Sequence, residues 1–168
     1  MFDSATTTVR VSNDRQDTRW SNGTVLIVED HADSREILSF LFSRRGYTVL
    51  EAEDGYEALL LLASTAPDLI VTDLGLPEMD GFEFVRRVRA QKRNHRDLKI
   101  ALVTAYDVRD CVERASFAGC DLVLAKPIDL DKVDRLVRLL PPRSESRSPE
   151  MFSGTLYVPD TNRVIGPR

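Results

Sequence analysis

Short apolar runs alternate with longer amphipathic stretches through the middle of the chain. The apolar runs predict five strands, at residues 25–28, 47–52, 69–71, 100–103 and 122–125. Four of the five are continuously apolar, which is typical of parallel strands covered on both faces. The run YTVLEA at 47–52 alternates between apolar and polar positions instead, so this strand is expected at an edge of the sheet.

Aspartates and glycines between these runs mark the ends of five predicted helices. Asp33, with Glu36 three residues later, forms a carboxylate version of a capping box and predicts the start of the first helix, which Gly46 is expected to end. The other four helices are expected to begin at or near Asp54, Gly81, Asp107 and Asp129. Five strands that alternate with five helices through short connections predict a parallel α/β sheet.

Composition divides the chain into three parts. Residues 1–22 are polar and lack periodicity, so they are expected to form a flexible N-terminal extension. Residues 23–140 contain all the predicted strands and helices and are expected to form the single folded domain. Residues 141–168 begin as a Pro- and Ser-rich linker and continue as a C-terminal tail, in which residues 155–166 are compatible with a short hairpin.

The overall composition predicts a cytoplasmic protein with neither a membrane nor a nucleic-acid partner. No apolar run approaches the roughly 20 residues of a transmembrane helix, and the first residues lack a secretory signal pattern. Cys111 and Cys120 are too few for a disulfide framework and are expected to be reduced thiols. The net charge of −4 argues against a general nucleic-acid binder, and the basic run at 86–96 is interpreted as a solvated helix face and loop.

Polar side chains lie at the ends of four of the predicted strands. Glu29 and Asp30 follow the first strand, and Asp73 follows the third. Thr104 follows the fourth strand and Lys126 the fifth. Because ligands of open α/β sheets bind at the carboxyl ends of the strands, these five side chains are expected to converge on one crevice.

The chemistry of these five side chains predicts a metal-assisted phosphoryl acceptor. Glu29, Asp30 and Asp73 repel one another unless a cation lies between them, and Mg²⁺ prefers carboxylates, carbonyl groups and water. A carboxylate beside Mg²⁺ can attack phosphorus and form an acyl phosphate. Lys126 supplies positive charge for the phosphoryl oxygens, and Thr104 supplies a hydroxyl donor. We therefore expect Asp73 to be the nucleophile.

Four motifs in the chain resemble those of the receiver domain of two-component response regulators. They are VLIVED, VTDLGLPEMDG, IALVTAY and LVLAKPID, and they occur in the order and at the spacings of that family. The resemblance extends over residues 24–140. It implies a flavodoxin-like α/β fold in which five parallel strands lie in the order 2-1-3-4-5 with five flanking helices.

The resemblance also implies a role for each carboxylate of the crevice. Asp73 would accept a phosphoryl group from the phosphohistidine of a sensor histidine kinase or a histidine phosphotransfer protein, in a reaction that requires Mg²⁺. Asp30 would bind the metal directly, and Glu29 would assist through water. Asp73 and the backbone carbonyl of Gly75 would complete the set of protein ligands.

The switching residues of the family have one unusual member here. The resemblance implies that Thr104 and Lys126 bind the phosphoryl oxygens and that Thr104 moves inward on phosphorylation. Receivers usually carry Tyr or Phe three residues before the lysine, where this chain has Val123. We therefore expect output to use the fourth helix or the preceding loop, where Tyr106 lies. The resemblance also implies that Gly75 and Tyr106 occupy the two positions that tune phosphoryl lifetime in the family, and these residues predict slow self-dephosphorylation.

The leading interpretation is a stand-alone response regulator that catalyses its own phosphorylation and dephosphorylation and signals by contact with a downstream protein or within a phosphorelay. The face formed by the fourth and fifth helices, the family's usual pairing surface, could form a homodimer.

The alternative is a receiver-like adaptor that binds partners independently of phosphorylation, which Val123 favours. A flavodoxin-like enzyme is a third class, but EDHADS after the first strand is not a Gly-rich phosphate loop. His31 in that segment is interpreted as a loop residue near the site.

Overall fold

The computed structural model describes residues 22–91 and 98–140. Five strands and five helices alternate within these residues. In chain order they are β1 (Thr24–Val28), α1 (Ala32–Ser43), β2 (Thr48–Ala52), α2 (Gly55–Ser64), β3 (Leu69–Asp73), α3 (Gly81–Ala90), β4 (Lys99–Thr104), α4 (Val108–Ala118), β5 (Leu122–Ala125) and α5 (Leu130–Val137).

The five strands form one parallel sheet in the order β2-β1-β3-β4-β5, which confirms the predicted flavodoxin-like topology. β2 lies at an edge of the sheet, as its alternating pattern predicts. Asp73 at the end of β3 pairs with Val103 of β4, and Thr104 pairs with Ala125 of β5. Because all strands run the same way and in register, their carboxyl ends lie at one end of the sheet, here called the carboxyl end.

Alternate side chains of the strands enter two cores, one on each face of the sheet. Leu26 and Val28 of β1 point into the core beneath α2, α3 and α4. Val25 and Ile27 point into the opposite core, beneath α1 and α5. Burying each such side chain contributes about 1.5–3 kcal/mol, which fixes the register of the central strands and hence the positions of their last residues.

Helix α1 begins earlier than its sequence signal indicated. Its N-cap is His31, whose backbone is extended and whose side chain makes no capping hydrogen bond, so the prediction that Asp33 caps the helix is wrong. Asp33 lies in the first turn instead, where a carboxylate is favourable because of the helix dipole. The helix ends at Ser43, and Gly46, with a positive φ of 77°, completes the turn that follows.

Aspartate side chains cap the other four helices by accepting hydrogen bonds from backbone N–H groups of the first turn. The four N-cap residues are Asp54, Asp80, Asp107 and Asp129. The predicted starts of α2, α3, α4 and α5 are therefore confirmed. This chemistry is readable from sequence because it involves only residues two or three positions apart.

Several predictions concern residues outside the described ranges. They are the flexible extension at 1–21, the end of the basic run at 92–97 and the linker, tail and hairpin at 141–168. Within residues 22–91 and 98–140, no helix combines the length and apolar character that a membrane span requires.

Candidate functional site

Asp73 is the last residue of β3 and is held in place by the backbone around it. Asp73 is only 7% exposed, and the other residues of its strand are apolar except for the hydroxyl of Thr72. The next residue, Leu74, donates its N–H to the carbonyl of Val103 and accepts a hydrogen bond from the N–H of Gly81. These two bonds fix where the chain leaves the sheet and therefore where the Asp73 carboxylate lies.

Gly81 allows the start of α3 to pack against the end of β3. A Cβ at this position would lie 2.5 Å from the Asp73 carbonyl oxygen, 2.9 Å from Leu102 Cδ1 and 3.0 Å from Leu74 Cα. Two of these neighbours are backbone atoms, which cannot move aside. A residue with a side chain at position 81 would displace the segment that positions Asp73.

Lys126 links two carboxylates from different strands. Its Nζ lies 2.8 Å from Asp73 Oδ2, 2.8 Å from Glu29 Oε2 and 3.1 Å from Glu29 Oε1. Partial burial lowers the pKa of the Lys126 ammonium, but hydrogen bonds to Asp73 and Glu29 outweigh it, so the pKa is raised above its ordinary value. Glu29 is 1% exposed, so this contact compensates a buried carboxylate as well as Asp73.

Asp30 and His31 extend the acidic end of β1 toward solvent. His31 Nδ1 lies 2.8 Å from Asp30 Oδ1 and 3.5 Å from Glu29 Oε1. Partial burial raises the pKa of Asp30, but the hydrogen bond and charge of His31 outweigh it, so that pKa is lowered. The hydrogen bond and the negative charge of Asp30 in turn raise the pKa of His31. One ligand atom from each of Glu29, Asp30 and His31 lies within 4.8 Å of the others.

Arg35 is a part of the site that sequence reasoning missed. Its Nη1 donates to the carbonyl oxygens of Glu29 (2.6 Å) and Asp30 (3.4 Å), and its Nη2 donates to Glu53 Oε1 (2.9 Å). Its side chain is only 11% exposed, and its Nε lies 3.7 Å from Glu51 Oε2. Arg35 lies one turn before Ser39, which is buried on the inward face of α1. A charged side chain on an inward helix face needs partners, and this is the signal from which the role of Arg35 could be inferred.

Thr104 and Gly75 are the two remaining residues that the sequence predicts for the site. Thr104 is fully buried, and its Oγ1 accepts a hydrogen bond from the Tyr106 N–H at 3.0 Å. This contact uses the hydroxyl as an acceptor, so its own proton can be donated elsewhere. A Cβ on Gly75 would lie 3.7 Å from Asp73 Oδ2, which places the Gly75 backbone beside the carboxylate.

The structure thus brings Asp73, Lys126 and Glu29 into direct contact, and Asp30 adjoins Glu29 through His31. The carboxylates and the backbone beside Gly75 offer the oxygen ligands that Mg²⁺ prefers, so the donor set fits this ion. Among the described residues, the potential ligand atoms of Glu29, Asp30 and His31 lie close enough together to share one ion, and this group does not include Asp73. Asp73 is linked to Glu29 through the ammonium of Lys126.

In residues 86–91, the part of the basic run that the structure describes, three arginines form ion pairs within the fold. Arg86 and Arg87 each lie 2.8 Å from Glu83 on the solvated face of α3. Arg89 turns toward the start of β5 and donates to Asp121 Oδ2 at 2.9 Å. The exposed pairs of Arg86 and Arg87 support the interpretation of their part of the run as a solvated helix face. Arg89 differs, because its side chain is partly buried and also donates to the carbonyl groups of Gly119 and Leu98.

Comparison with known proteins gives consistent matches. The family model "Response regulator receiver domain" matches residues 25–138. Sporulation initiation phosphotransferase F of Bacillus subtilis is 32% identical over 124 residues, covering 73% of this chain and 98% of that protein. The chemotaxis response regulator CheY4 of Vibrio cholerae has a TM-score of 0.66 at 31% identity, covering 70% of this chain and 98% of that one. The response regulator TrrA of Thermotoga maritima, solved in complex with Mg²⁺–BeF, has a TM-score of 0.61 at 30% identity, with coverage of 70% and 98%.

Proposed function

The chain belongs to the response regulator receiver domain family of two-component systems, and from this premise we propose that Asp73 accepts a phosphoryl group from a phosphohistidine. One carboxylate oxygen of Asp73 attacks phosphorus, the bond from phosphorus to the histidine nitrogen breaks, and the imidazole leaves. The product is an acyl phosphate, which water later hydrolyses to inorganic phosphate and the free carboxylate. The protein promotes both steps on itself and acts as a phosphoacceptor in signalling rather than as an enzyme with a separate substrate.

The observation that carries this proposal is the 2.8 Å contact between Lys126 Nζ and the buried carboxylate of Asp73. The ammonium balances the carboxylate and stands where negative charge gathers on the transferred group. The hydroxyl of Thr104, at the end of the next strand, retains a proton to donate to a phosphoryl oxygen. In this proposal the charge of Lys126 and the hydroxyl of Thr104 are arranged before the reaction, which would keep reorganisation small.

We assign Mg²⁺ to Glu29, Asp30, Asp73 and the backbone carbonyl of Gly75. Receiver domains of this family generally bind Mg²⁺ at an acidic pocket, and TrrA was solved with this ion. When bound, Mg²⁺ neutralises the clustered carboxylates and the phosphoryl oxygens. The oxygen-rich set described above, with Asp30 partly open to solvent, fits a hard cation that keeps several water ligands.

Gly75 and Tyr106 support a long-lived phosphoryl group. Gly75 has no side chain that could orient an attacking water, and Tyr106 lies beside Thr104, to whose Oγ1 its N–H donates. We expect Tyr106→Ala to shorten the lifetime of the phosphoprotein, because it removes the ring that we propose shields the phosphoryl group from water. The decay of the phosphorylated mass after removal of the donor measures this. Rapid decay of the wild type that Tyr106→Ala leaves unaltered would contradict it.

Receiver domains interact with histidine kinases or phosphotransfer proteins, and we assign such a protein as the phosphoryl donor here. The output is contact with a downstream protein in the cytoplasm, and the α4–α5 face is the proposed dimer surface.

Val123 is half-buried against the core beneath α4 and cannot sweep the volume of an aromatic ring. Output therefore uses α4 or the loop before it. A structure with a phosphoryl mimic in which this segment is unmoved would refute that route.

Intact-mass analysis with acetyl phosphate tests the phosphoacceptor proposal. The wild type should gain one phosphoryl unit in the presence of Mg²⁺ and none after chelation with EDTA. Asp73→Asn, which keeps the shape of the side chain but removes the nucleophile, should gain none under either condition. A folded wild-type protein that gains no mass would refute the proposal.

A phosphorylation-independent adaptor is the second candidate, and Val123 is the feature that favours it. Partner capture by the wild type and by Asp73→Asn separates the two functions. Equal capture by both proteins, whether or not acetyl phosphate is present, supports the adaptor. Capture that requires both acetyl phosphate and Asp73 supports the switch.

A further inference from the structure

We propose that His31 is a metal ligand of the acidic pocket and that it shifts the selectivity of this pocket from Mg²⁺ toward transition-metal ions that favour imidazole. This inference rests on the proposed function, because it extends the metal pocket assigned to Glu29 and Asp30. It adds a nitrogen donor to a set that otherwise consists of oxygen atoms.

The orientation of the His31 ring is the first observation that supports this role. His31 is the N-cap residue of α1, a position where side chains usually accept a hydrogen bond from the first helical turn. Its side chain makes no such bond. The ring turns toward the end of β1, where Nδ1 lies 2.8 Å from Asp30 Oδ1 and 3.5 Å from Glu29 Oε1.

The spacing of the three donor atoms is the second observation. Neighbouring ligands of an octahedral ion are about 3.0 Å apart when each metal–ligand distance is about 2.1 Å. The separations of 2.8 Å and 3.5 Å from Nδ1 to the two carboxylate oxygens lie on either side of that value. All three donor atoms lie within 4.8 Å of one another. An ion bound by all three would replace the hydrogen bond between Nδ1 and Asp30.

Access and charge also fit a metal ligand at this position. The His31 side chain is 74% exposed, so the ring and an arriving hydrated ion can meet without displacing the core. Lys126 Nζ lies 2.8 Å from Glu29 Oε2 and 3.1 Å from Oε1, and Oε1 is also the oxygen that lies 3.5 Å from His31 Nδ1. Oε1 would therefore face the ion while Oε2 keeps the shorter contact with the ammonium.

The chemistry of the donors determines which ions gain. Carboxylate and water ligands suit Mg²⁺ and Mn²⁺, whereas imidazole suits Ni²⁺, Cu²⁺ and Zn²⁺. Removing the imidazole should therefore weaken binding of Ni²⁺ and leave binding of Mg²⁺ nearly unchanged. A histidine that only orients Asp30 through a hydrogen bond would instead affect both ions by the same factor.

Calorimetric titration of the full chain with Ni²⁺ and with Mg²⁺ tests the proposal. The protein is purified without a histidine tag and compared with His31→Gln, whose amide can still contact Asp30. His95→Gln is the matched control because His95 is the only other histidine of the sequence. We expect His31→Gln to raise the Kd for Ni²⁺ at least about tenfold and that for Mg²⁺ less than about twofold. His95→Gln should change neither.

A spectroscopic readout is independent of affinity. Pulsed electron paramagnetic resonance of bound Cu²⁺ should show coupling to an imidazole nitrogen, lost in His31→Gln and retained in His95→Gln. Equal changes in the two affinities, or no change in either, would overturn the role of His31 while the pocket remains. Failure of the wild type to bind Mg²⁺ at all, with Asp30→Asn behaving identically, would overturn the proposed pocket as well.

Discussion

Aspartates stand at both ends of the central sheet, and their surroundings differ. At the amino end, where the strands begin, Asp68 Oδ2 accepts the N–H of Thr24 at 2.8 Å. Asp121 Oδ2 accepts the N–H of Ile100 at 2.8 Å and also contacts Arg89. At the carboxyl end, Asp73 shares the ammonium of a single lysine with another carboxylate.

On the proposed function, the difference separates structural carboxylates from reactive ones. A carboxylate that accepts fixed backbone N–H groups links two strands, and its charge is compensated within the fold. Carboxylates that cluster around one ammonium repel one another, and an added metal ion would relieve that repulsion. The metal ion would in turn neutralise the charge of a phosphoryl group. We therefore expect substitutions at the amino end to change stability and substitutions at the carboxyl end to change chemistry.

The largest expected effect comes from the two lysines that face these aspartates. Lys126→Ala should lower the rate of phosphorylation by acetyl phosphate by about a hundredfold, because it removes the charge that stabilises the transferred group. Lys99 lies 3.4 Å from Asp121 at the amino end and provides the matched control. Lys99→Ala should retain the wild-type rate. Similar rates for the two variants in a time course of intact mass would break the distinction.

The next largest expected effect is on stability, and it comes from substitution of a glycine at each end of the sheet. Gly81→Ala should lower the free energy of unfolding by about 3 kcal/mol, because its Cβ meets backbone atoms of Asp73 and Leu74. Gly119, with a φ of 102°, ends α4 near the amino end, and its Cβ would meet the flexible side chain of Arg89. Gly119→Ala should cost about 1 kcal/mol. Urea denaturation measures both, and the reverse order would contradict the tight packing at the carboxyl end.

Substitution of the aspartates themselves should have opposite effects on stability and phosphorylation at the two ends of the sheet. Asp121→Ala should destabilise the fold by about 2 kcal/mol, because the N–H of Ile100 loses its acceptor, and phosphorylation should persist. Asp73→Ala should cost less than about 1 kcal/mol, because Lys126 keeps Glu29 as a partner, and phosphorylation should stop. Unfolding and labelling are measured on the same preparations. A larger loss of stability for Asp73→Ala would count against the comparison.

The smallest effect concerns two arginines that bind backbone carbonyl groups at opposite ends. Arg35 binds those of Glu29 and Asp30, and Arg89 binds those of Gly119 and Leu98. Each Arg→Lys substitution should cost about 1.5 kcal/mol, because lysine cannot donate in the same fork geometry.

Only Arg35→Lys should also weaken Mg²⁺ binding, by about tenfold, because it would loosen Glu29 and Asp30, the proposed ligands of the ion. Calorimetric titration of the two folded variants with Mg²⁺ measures this. Equal affinities in Arg35→Lys and Arg89→Lys would show that Arg35 has no part in the pocket.

Local signals predicted the fold well. The starts of α2, α4 and α5 follow from Asp54, Asp107 and Asp129, which bond to N–H groups two or three residues away. The start of α1 was misplaced because Asp33 has the residue type of a cap but lies in the first turn, after a residue whose side chain caps nothing. A capping motif predicts that a helix is present more reliably than it predicts the first residue.

The candidate site was predictable as a set of strand ends but not as a set of contacts. Glu29, Asp73 and Lys126 could be placed together because parallel strands end on the same side. The sharing of Lys126 between two carboxylates depends on side chains from distant strands, and so does the attachment of Arg35 to the end of β1. Such contacts depend on strand register and on side-chain rotamers, which residue types alone do not specify.

The most direct test of the central claim is to locate the phosphoryl group chemically. The wild type is incubated with acetyl phosphate and Mg²⁺, the acyl phosphate is reduced with sodium borohydride to the corresponding alcohol, and peptides are sequenced by mass spectrometry. We predict that the modified residue is Asp73 alone and that the modification disappears when EDTA replaces Mg²⁺. Modification of Asp68 or Asp121 at the amino end, or of Asp30 in place of Asp73, would contradict the account.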